Sequence, residues 1–268
     1  MSSSDFSPEQ MTANERGRMQ IQWVMAFLLP VIFLTGFSIL QLTDSNTLVF
    51  IWLNDWMHDM PIAFWANMTF LADSAAMLAL ACVFLLRKER LVFAALIGGI
   101  VCGIAIRILK VGFDMPRPPA VLNGSLFETI GEAYRSKSFP SGHAATALFT
   151  SGLVIAFWHN KTVYVLALLF GVLGALSRVA AGVHWPTDIL VGGAIGWFIG
   201  YSSGLIFRNR AYFSYPKRIF VFAFSYIAAV FLLAYDPNMP HVMWAQGVIA
   251  GIALYCSLYY LAFRILKV

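Results

Sequence analysis

Eight long runs of apolar residues divide the chain, and they constrain its fold more than any other feature. In chain order the runs cover residues 21–40, 65–86, 91–109, 140–158, 162–180, 189–207, 219–235 and 242–263. A helix needs about 20 apolar residues to cross a bilayer, and each run is close to that length. Only 12% of the residues are charged, whereas soluble domains average about 25%. The sequence therefore predicts an all-α, polytopic membrane helix bundle surrounded by lipid bilayer.

The first 64 residues hold two further features. Residues 1–20 are polar and predict a cytoplasmic tail, which the first spanning helix follows within residues 21–64. The segment from Leu48 to Met60 is too short and too interrupted to span, and it predicts a helix lying in the outer interface. The side of this helix that is predicted to face water carries Asn54, Asp55, His58 and Asp59. An acidic ligand site is the alternative interpretation of the last three residues.

Basic residues are distributed unevenly over the connections. The connections after the second, fourth, sixth and eighth runs contain Arg87, Lys88, Arg90, Lys161, Arg208, Arg210, Lys217, Arg218, Arg264 and Lys267. Those after the first and seventh runs contain aspartate and neither lysine nor arginine. Because basic loops tend to stay in the cytoplasm, both termini are predicted to be cytoplasmic. The net charge of +5 is scattered over these clusters, so no nucleic-acid partner is predicted.

The same alternation brings a polar set to one outer level of the bundle. The set lies at the ends of the third to sixth runs and comprises Lys110, Arg117, Ser141, Gly142, His143, Arg178, His184 and Asp188. Basic residues are otherwise disfavoured near spanning segments on the outer side. The set therefore predicts a functional site.

The residue types in this set fit phosphate chemistry. Arginine offers a planar fork to phosphate oxygens, and lysine adds a point charge. Ser141 and Gly142 open a helix, where free N–H groups bind anions. Of two histidines, one can attack phosphorus and the other can protonate the leaving oxygen. His184 and Asp188 are four residues apart, so the carboxylate can fix the tautomer of the ring.

Three motifs carry these residues in chain order. They are K-x6-RP from Lys110 to Pro118, PSGH from Pro140 to His143, and SR-x5-H-x3-D from Ser177 to Asp188. In this order and on such helices, they resemble the signature motifs of the type 2 phosphatidic acid phosphatase superfamily, in its membrane-bound lipid phosphatase branch. The resemblance covers roughly residues 65–207 and implies a six-helix catalytic core. Residues 208–268, a basic cytoplasmic loop and two extra C-terminal transmembrane helices, lie outside it.

The resemblance also implies an activity and residue roles. It implies a metal-independent phosphatase without a cofactor, which acts through a phosphohistidine intermediate. His184 would be the nucleophile, Asp188 its orienting carboxylate and His143 the general acid. The phosphate ligands would be Lys110, Arg117, Ser141, Gly142 and Arg178. The substrate would be a membrane lipid phosphate or diphosphate: a polyprenyl diphosphate such as undecaprenyl diphosphate, or a phosphatidate or phosphatidylglycerophosphate.

Two other functions fit the same sequence. In the first, the phosphohistidine passes its group to an acceptor lipid of the lipid A type, so that the chain is a phosphotransferase. In the second, the chain is a non-enzymatic lipid carrier or scaffold. Release of inorganic phosphate without an acceptor lipid would separate hydrolysis from transfer. Intact residues at every motif position argue against the carrier. A bacterial inner membrane, with the site facing the periplasm or exterior, is the expected location.

Several residues outside the motifs leave two interpretations. Asp73 lies in the middle of the second run, and it is expected to make a structural hydrogen bond below the level of the motifs, although carboxylates within the membrane often mark function. Arg135 and Lys137 are either ordinary loop charges or a second contact to phosphate. Trp185 is expected to anchor the chain at the interface.

Cysteine labelling in intact cells tests the predicted orientation. An impermeant thiol reagent should modify Ser125→Cys, in the outer loop, and should leave Lys217→Cys unmodified until the cells are opened. The three native cysteines lie inside apolar runs, so the unsubstituted chain provides the background. Labelling of Lys217→Cys without labelling of Ser125→Cys would reverse the orientation.

Overall fold

The computed structural model describes residues 13–84, 88–158, 160–208 and 215–266. These residues form helices and the connections between them, without a strand. The helices are α1 (Ala13–Leu42), α2 (Asn46–Met57), α3 (Ile62–Leu71), α4 (Ser74–Ala81), α5 (Glu89–Phe113), α6 (Pro118–Val121), α7 (Gly142–Phe157), α8 (Lys161–Ala180), α9 (Pro186–Arg208), α10 (Tyr215–Ala234) and α11 (Met243–Tyr260). A 3₁₀ turn, Cys82–Phe84, follows α4, and a π-helical turn, Leu261–Leu266, follows α11. The predicted all-α helix bundle is confirmed.

Six of these helices are long and apolar enough to cross a membrane, and α3 and α4 together make a seventh such unit. The fourth predicted span, residues 140–158, corresponds to α7, which is shorter at 16 residues. Large apolar side chains are exposed along the outward sides of α1, α5, α8, α10 and α11. Such surfaces need lipid as their solvent, which makes this a multi-pass membrane protein.

The second predicted span is not a continuous helix. It breaks between Leu71 and Ser74, and the axes of α3 and α4 differ by 66°. Asp73 causes the break locally, because its Oδ1 accepts a hydrogen bond from the backbone N–H of Ala75 at 2.7 Å. A short carboxylate at this position caps a new helix better than it extends an old one.

Helix α2, which was predicted to lie in the outer interface, is anchored to the rest of the bundle. Asn54 was expected to face water, but it is buried, so that prediction is wrong. Its Nδ2 donates to the carbonyl oxygens of Val179 and Ala180, and its Oδ1 accepts from the N–H of Glu128. Buried amides need such partners. Asn54 thereby joins α2 to the end of α8 and to the long connection between α6 and α7.

The helices α7 and α9 form the centre of the bundle. Glycines of α9 face the backbone of α7, and a Cβ atom added at Gly192, Gly196 or Gly200 would overlap a carbonyl oxygen of Ser141, Ala145 or Phe149. Small residues let helix backbones approach closely in a membrane. The close approach fixes the start of α7 against the start of α9.

The C-terminal pair α10 and α11 packs against itself and against α4. It therefore covers α4, the second half of the bent pair. At the end of α10, Gln246 of α11 donates to the carbonyl oxygens of Leu232 and Tyr235, both at 2.6 Å. These bonds hold the last turn of α10 in place.

The close approach of α7 and α9 can be tested with one methyl group. Gly196→Ala should lower the free energy of unfolding by about 1–3 kcal/mol, the usual cost of overpacking. Gly247→Ala in α11 is the matched control, because a Cβ there meets no atom within 4 Å. Thermal unfolding in detergent, followed by tryptophan fluorescence, gives both Tm values. Equal Tm values for the two variants would contradict the packing.

Candidate active site

Asp188 organises the site at the start of α9. Its carboxylate is buried, and Oδ2 accepts hydrogen bonds from His184 Nδ1 at 3.0 Å, from the backbone N–H of Trp185 at 2.9 Å and from the hydroxyl of Ser138. His184 precedes the helix, so a tight turn rather than a helical turn brings the two residues together. With Nδ1 donating to the carboxylate, the Nε2 of a neutral ring is free to attack.

The surroundings of His184 favour its neutral form. Burial lowers the pKa of the imidazole well below its usual value of 6.5, and the positive charges of Arg117, Arg178 and Lys110 lower it further. Both effects act against the charged form. The ring therefore stays unprotonated to a lower pH than an exposed histidine, which is what a nucleophile near neutral pH requires.

The start of α7 lies directly beside Asp188. The N–H of Ser141 donates to the carbonyl oxygen of Asp188 at 3.0 Å, and the hydroxyl of Ser141 accepts from the N–H of Ala144. Gly142 and His143 occupy the first turn of α7. The positive end of the helix dipole and the free N–H groups of this turn therefore point toward the same site and favour an anion there.

The two cationic side chains of the first motif, Lys110 and Arg117, are held at the same site by hydrogen bonds to carbonyl oxygens of loop residues. Lys110 Nζ donates to the carbonyl oxygens of Lys137 and Ser138, at 2.7 and 3.3 Å. Arg117 donates from Nε to Ser136 O at 2.8 Å and from Nη1 to Val183 O at 3.2 Å. The contact that Lys137 makes with this cluster is thus through its backbone.

Arg178 is the cation best placed to bind an anion. Its side chain is 2% exposed at the end of α8. Its Nε and Nη1 atoms are buried and have no hydrogen-bond partner among the described residues. A buried cation without a paired group is costly unless an anion joins it. The planar guanidinium suits two oxygens of one phosphate group.

Asp73 also belongs to this site, so its expected position below the motifs is wrong. The break between α3 and α4 places its Oδ2 3.4 Å from Nε2 of His143. The sequence signal was present, because a carboxylate inside an apolar run often marks function. The preference for a structural role rested on an unbroken second helix.

Two residues that line the site were missed or misread in the sequence. Ser138 carries no motif signal, yet its hydroxyl donates to Asp188. Trp185 was expected at the interface, but it is 8% exposed and its Nε1 donates to Pro116 O at 3.0 Å. That bond ties the third motif to the first, and the prediction of an interfacial anchor is wrong.

A cavity of about 720 Å³ runs from the site between α4, α5 and α7. Asp73 and His143 line it near the starts of α4 and α7, and Phe84 and Leu153 line it about three turns further along. Exposed Ile100 is part of its lining, so the cavity opens sideways at the surface of the bundle. It therefore has a polar end and a long apolar part.

Comparison with known proteins identifies relatives of this arrangement. The family model of the PAP2 superfamily matches residues 88–212. The chain is similar to the crystal structure of Aquifex aeolicus LpxE. The match covers 59% of this chain and 93% of that chain, with 27% sequence identity and a TM-score of 0.52. Undecaprenyl-diphosphatase of Sulfolobus acidocaldarius is 36% identical over 66 residues, which are 25% of this chain and 32% of that protein.

A second curated relative bears a different substrate name. Phosphatidylglycerophosphatase B of Bacillus subtilis is 39% identical over 70 residues, which cover 23% of this chain and 34% of that protein. The chain thus spans about a third of the length of the curated relatives that it matches.

The role of Arg178 in anion binding can be measured without knowing a substrate. Arg178→Gln should weaken the binding of orthovanadate about 10- to 100-fold, because a hydrogen bond to a charged group contributes about 1.5–3 kcal/mol. Arg107→Gln, an exposed arginine of α5, is the matched control and should bind like the unsubstituted protein. Isothermal titration calorimetry in detergent measures both. An equal loss of orthovanadate affinity in the two variants would contradict a role of Arg178 in anion binding.

Proposed function

We propose that this chain, whose residues 88–212 belong to the PAP2 superfamily as the three motifs predicted, removes phosphate from a membrane lipid. One observation carries the proposal. His184, oriented by Asp188, shares a buried cluster with the guanidinium of Arg178, whose Nε and Nη1 have no hydrogen-bond partner among the described residues. A nucleophilic nitrogen beside a buried cation suits attack on an anionic phosphorus centre.

The reaction proceeds in two balanced steps. Nε2 of His184 attacks phosphorus, the bond from phosphorus to the leaving oxygen breaks, and His143 gives that oxygen its proton. Water then attacks the phosphohistidine and passes a proton to His143, and inorganic phosphate leaves. His143 acts as acid and then as base, as a two-step transfer requires. Asp188 keeps its charge and the tautomer of His184 throughout.

The charge that develops on the phosphoryl oxygens is met by protein groups. Lys110, Arg117 and Arg178 supply positive charge, and the first turn of α7, with Ser141 and Gly142, supplies N–H groups. With three cations at the phosphoryl group, the proposal includes no metal ion and no cofactor.

The cavity supports a lipid as the substrate. Its long part is lined by apolar side chains, and the hydroxyls of Thr146 and Thr150 are turned onto carbonyl oxygens of their own helix. At Gly99 and Gly103 of α5 a Cβ would meet no atom within 4 Å, so the lining is open there. A polyprenyl or acyl chain fits such a groove while its phosphate reaches His143.

The proposed substrates are a polyprenyl diphosphate such as undecaprenyl diphosphate, or a phosphatidate or phosphatidylglycerophosphate. The proposed location is a bacterial inner membrane, with the site facing the periplasm or exterior and both termini cytoplasmic. Residues 65–207 form the proposed catalytic core. The experiments below distinguish this hydrolysis from two alternatives. One is transfer of the phosphate to an acceptor lipid, and the other is a lipid carrier without turnover.

Trapping the intermediate tests the proposed chemistry. With ³²P-labelled substrate and a denaturing quench, the protein should carry an acid-labile, base-stable phosphate. His184→Ala should abolish this label, because the attacking nitrogen is gone, while His58→Ala, which changes an interfacial histidine, should keep it. A label that persists in His184→Ala would assign the nucleophile to another residue.

A substrate panel tests the proposed function itself. Purified protein is given undecaprenyl diphosphate, phosphatidate and phosphatidylglycerophosphate in separate vesicles, with EDTA and without acceptor lipid. At least one should release inorganic phosphate at an undiminished rate in EDTA. Phosphate release only after an acceptor lipid is added would indicate transfer, and no turnover of any lipid would favour a carrier.

A further inference from the structure

A hydrogen-bonded chain links the proposed general acid to the C-terminal helix pair. Oδ1 of Asp73 caps α4 by accepting from Ala75 N, which fixes the direction of the carboxylate. Oδ2 then lies 3.4 Å from Nε2 of His143. The hydroxyl of Tyr235 donates to the same Oδ2 at 3.0 Å. One carboxylate therefore joins α4, α7 and the end of α10.

Tyr235 is held in this position from several sides. Gln246 of α11 donates to its carbonyl oxygen, and Phe231 packs against its ring with centroids 5.5 Å apart. Just beyond it, Asn238 Nδ2 lies 3.4 Å from the hydroxyl of Tyr134, whose ring lies under the guanidinium of Arg117. The connection between α10 and α11 thus lies against the outer loop of the site.

A carboxylate near His143 offsets the positive charges that surround this histidine. Arg178 at the end of α8 and Arg117 in the outer loop act on it as positive charges, and His184 lies close enough to interact with it. Burial and the positive charges of Arg178 and Arg117 oppose protonation of His143, and the carboxylate of Asp73 favours it. A carboxylate at this distance stabilises an imidazolium. A general acid must carry its proton before the leaving oxygen departs.

We propose that Asp73 and Tyr235 are positioning residues for His143: Asp73 orients the ring and stabilises its protonated form, and Tyr235 holds the carboxylate in place. This inference rests on the proposed phosphatase reaction. With Nε2 directed at Asp73, Nδ1 of His143 gives its proton to the leaving oxygen as the bond to phosphorus breaks. Asp73 stays ionised. The helix pair beyond residues 88–212 thereby contributes a side chain to the catalytic apparatus.

Variants of the two residues test the inference through pH and leaving group. Asp73→Asn keeps an oxygen that can cap α4, and it should move the basic limb of the kcat/KM profile to lower pH by about one unit, the smallest usual effect of a neighbouring charge. The acid limb, which follows His184, should stay. Rates should fall most on the lipid that the unsubstituted protein hydrolyses fastest, and least on p-nitrophenyl phosphate, whose leaving oxygen needs no proton.

Tyr235→Phe tests the contribution of the helix pair and leaves the cap of α4 untouched. It should lower kcat on the same lipid about fivefold, as expected for one hydrogen bond, and change kcat on p-nitrophenyl phosphate less than about twofold. Tyr226→Phe, an exposed tyrosine of the same helix, is the matched control and should change neither.

Equal losses on both substrates in Tyr235→Phe, or an unchanged basic limb in folded Asp73→Asn, would overturn the inference. Those results would not contradict the proposed phosphatase reaction. Absence of phosphate release or of a phosphohistidine in the unsubstituted protein would instead remove the proposed function, and the inference with it.

Discussion

The backbone contact between the first turn of α7 and the start of α9 is the constraint on which the site depends. The N–H of Ser141 bonds to the carbonyl oxygen of Asp188, and below this bond the α9 glycines leave no room for a side chain. The two helices are thereby locked in register. Because the second motif opens α7 and the third opens α9, this register fixes the distance between the anion-binding turn and His184.

The second constraint is electrostatic. Three cationic side chains converge where Asp188 and Asp73 are the carboxylates, and each carboxylate is already engaged with a histidine. The positive charge of Arg178 is therefore left for a ligand. Protein folding alone gains little from burying such a cation. Under the proposed function, a phosphate group that enters the site would stabilise this arrangement, so that the site gives up stability in return for affinity.

Much of this arrangement follows from sequence. The lengths of the apolar runs predicted the spans, and the three motifs predicted the residues that α5, α7, α8 and α9 bring together. The break at Asp73 and the burial of Asn54 were not predictable in this way, because each depends on partners more than 60 residues away or on a local competition between capping and helix propagation. Ser138 and Tyr235 were missed for the same reason. The role of each hydroxyl can be recognised only from the carboxylate that folding places beside it.

The sideways opening of the cavity has a kinetic consequence. Under the proposed function, a lipid that enters between α4 and α5, near Ile100, would arrive from within the bilayer without passing through water. For the proposed lipid phosphatase the encounter would then be two-dimensional, and the mole fraction of substrate in the membrane would set the degree of saturation. Diluting the substrate with inert lipid would then slow turnover even when the amount of substrate per volume of suspension is unchanged.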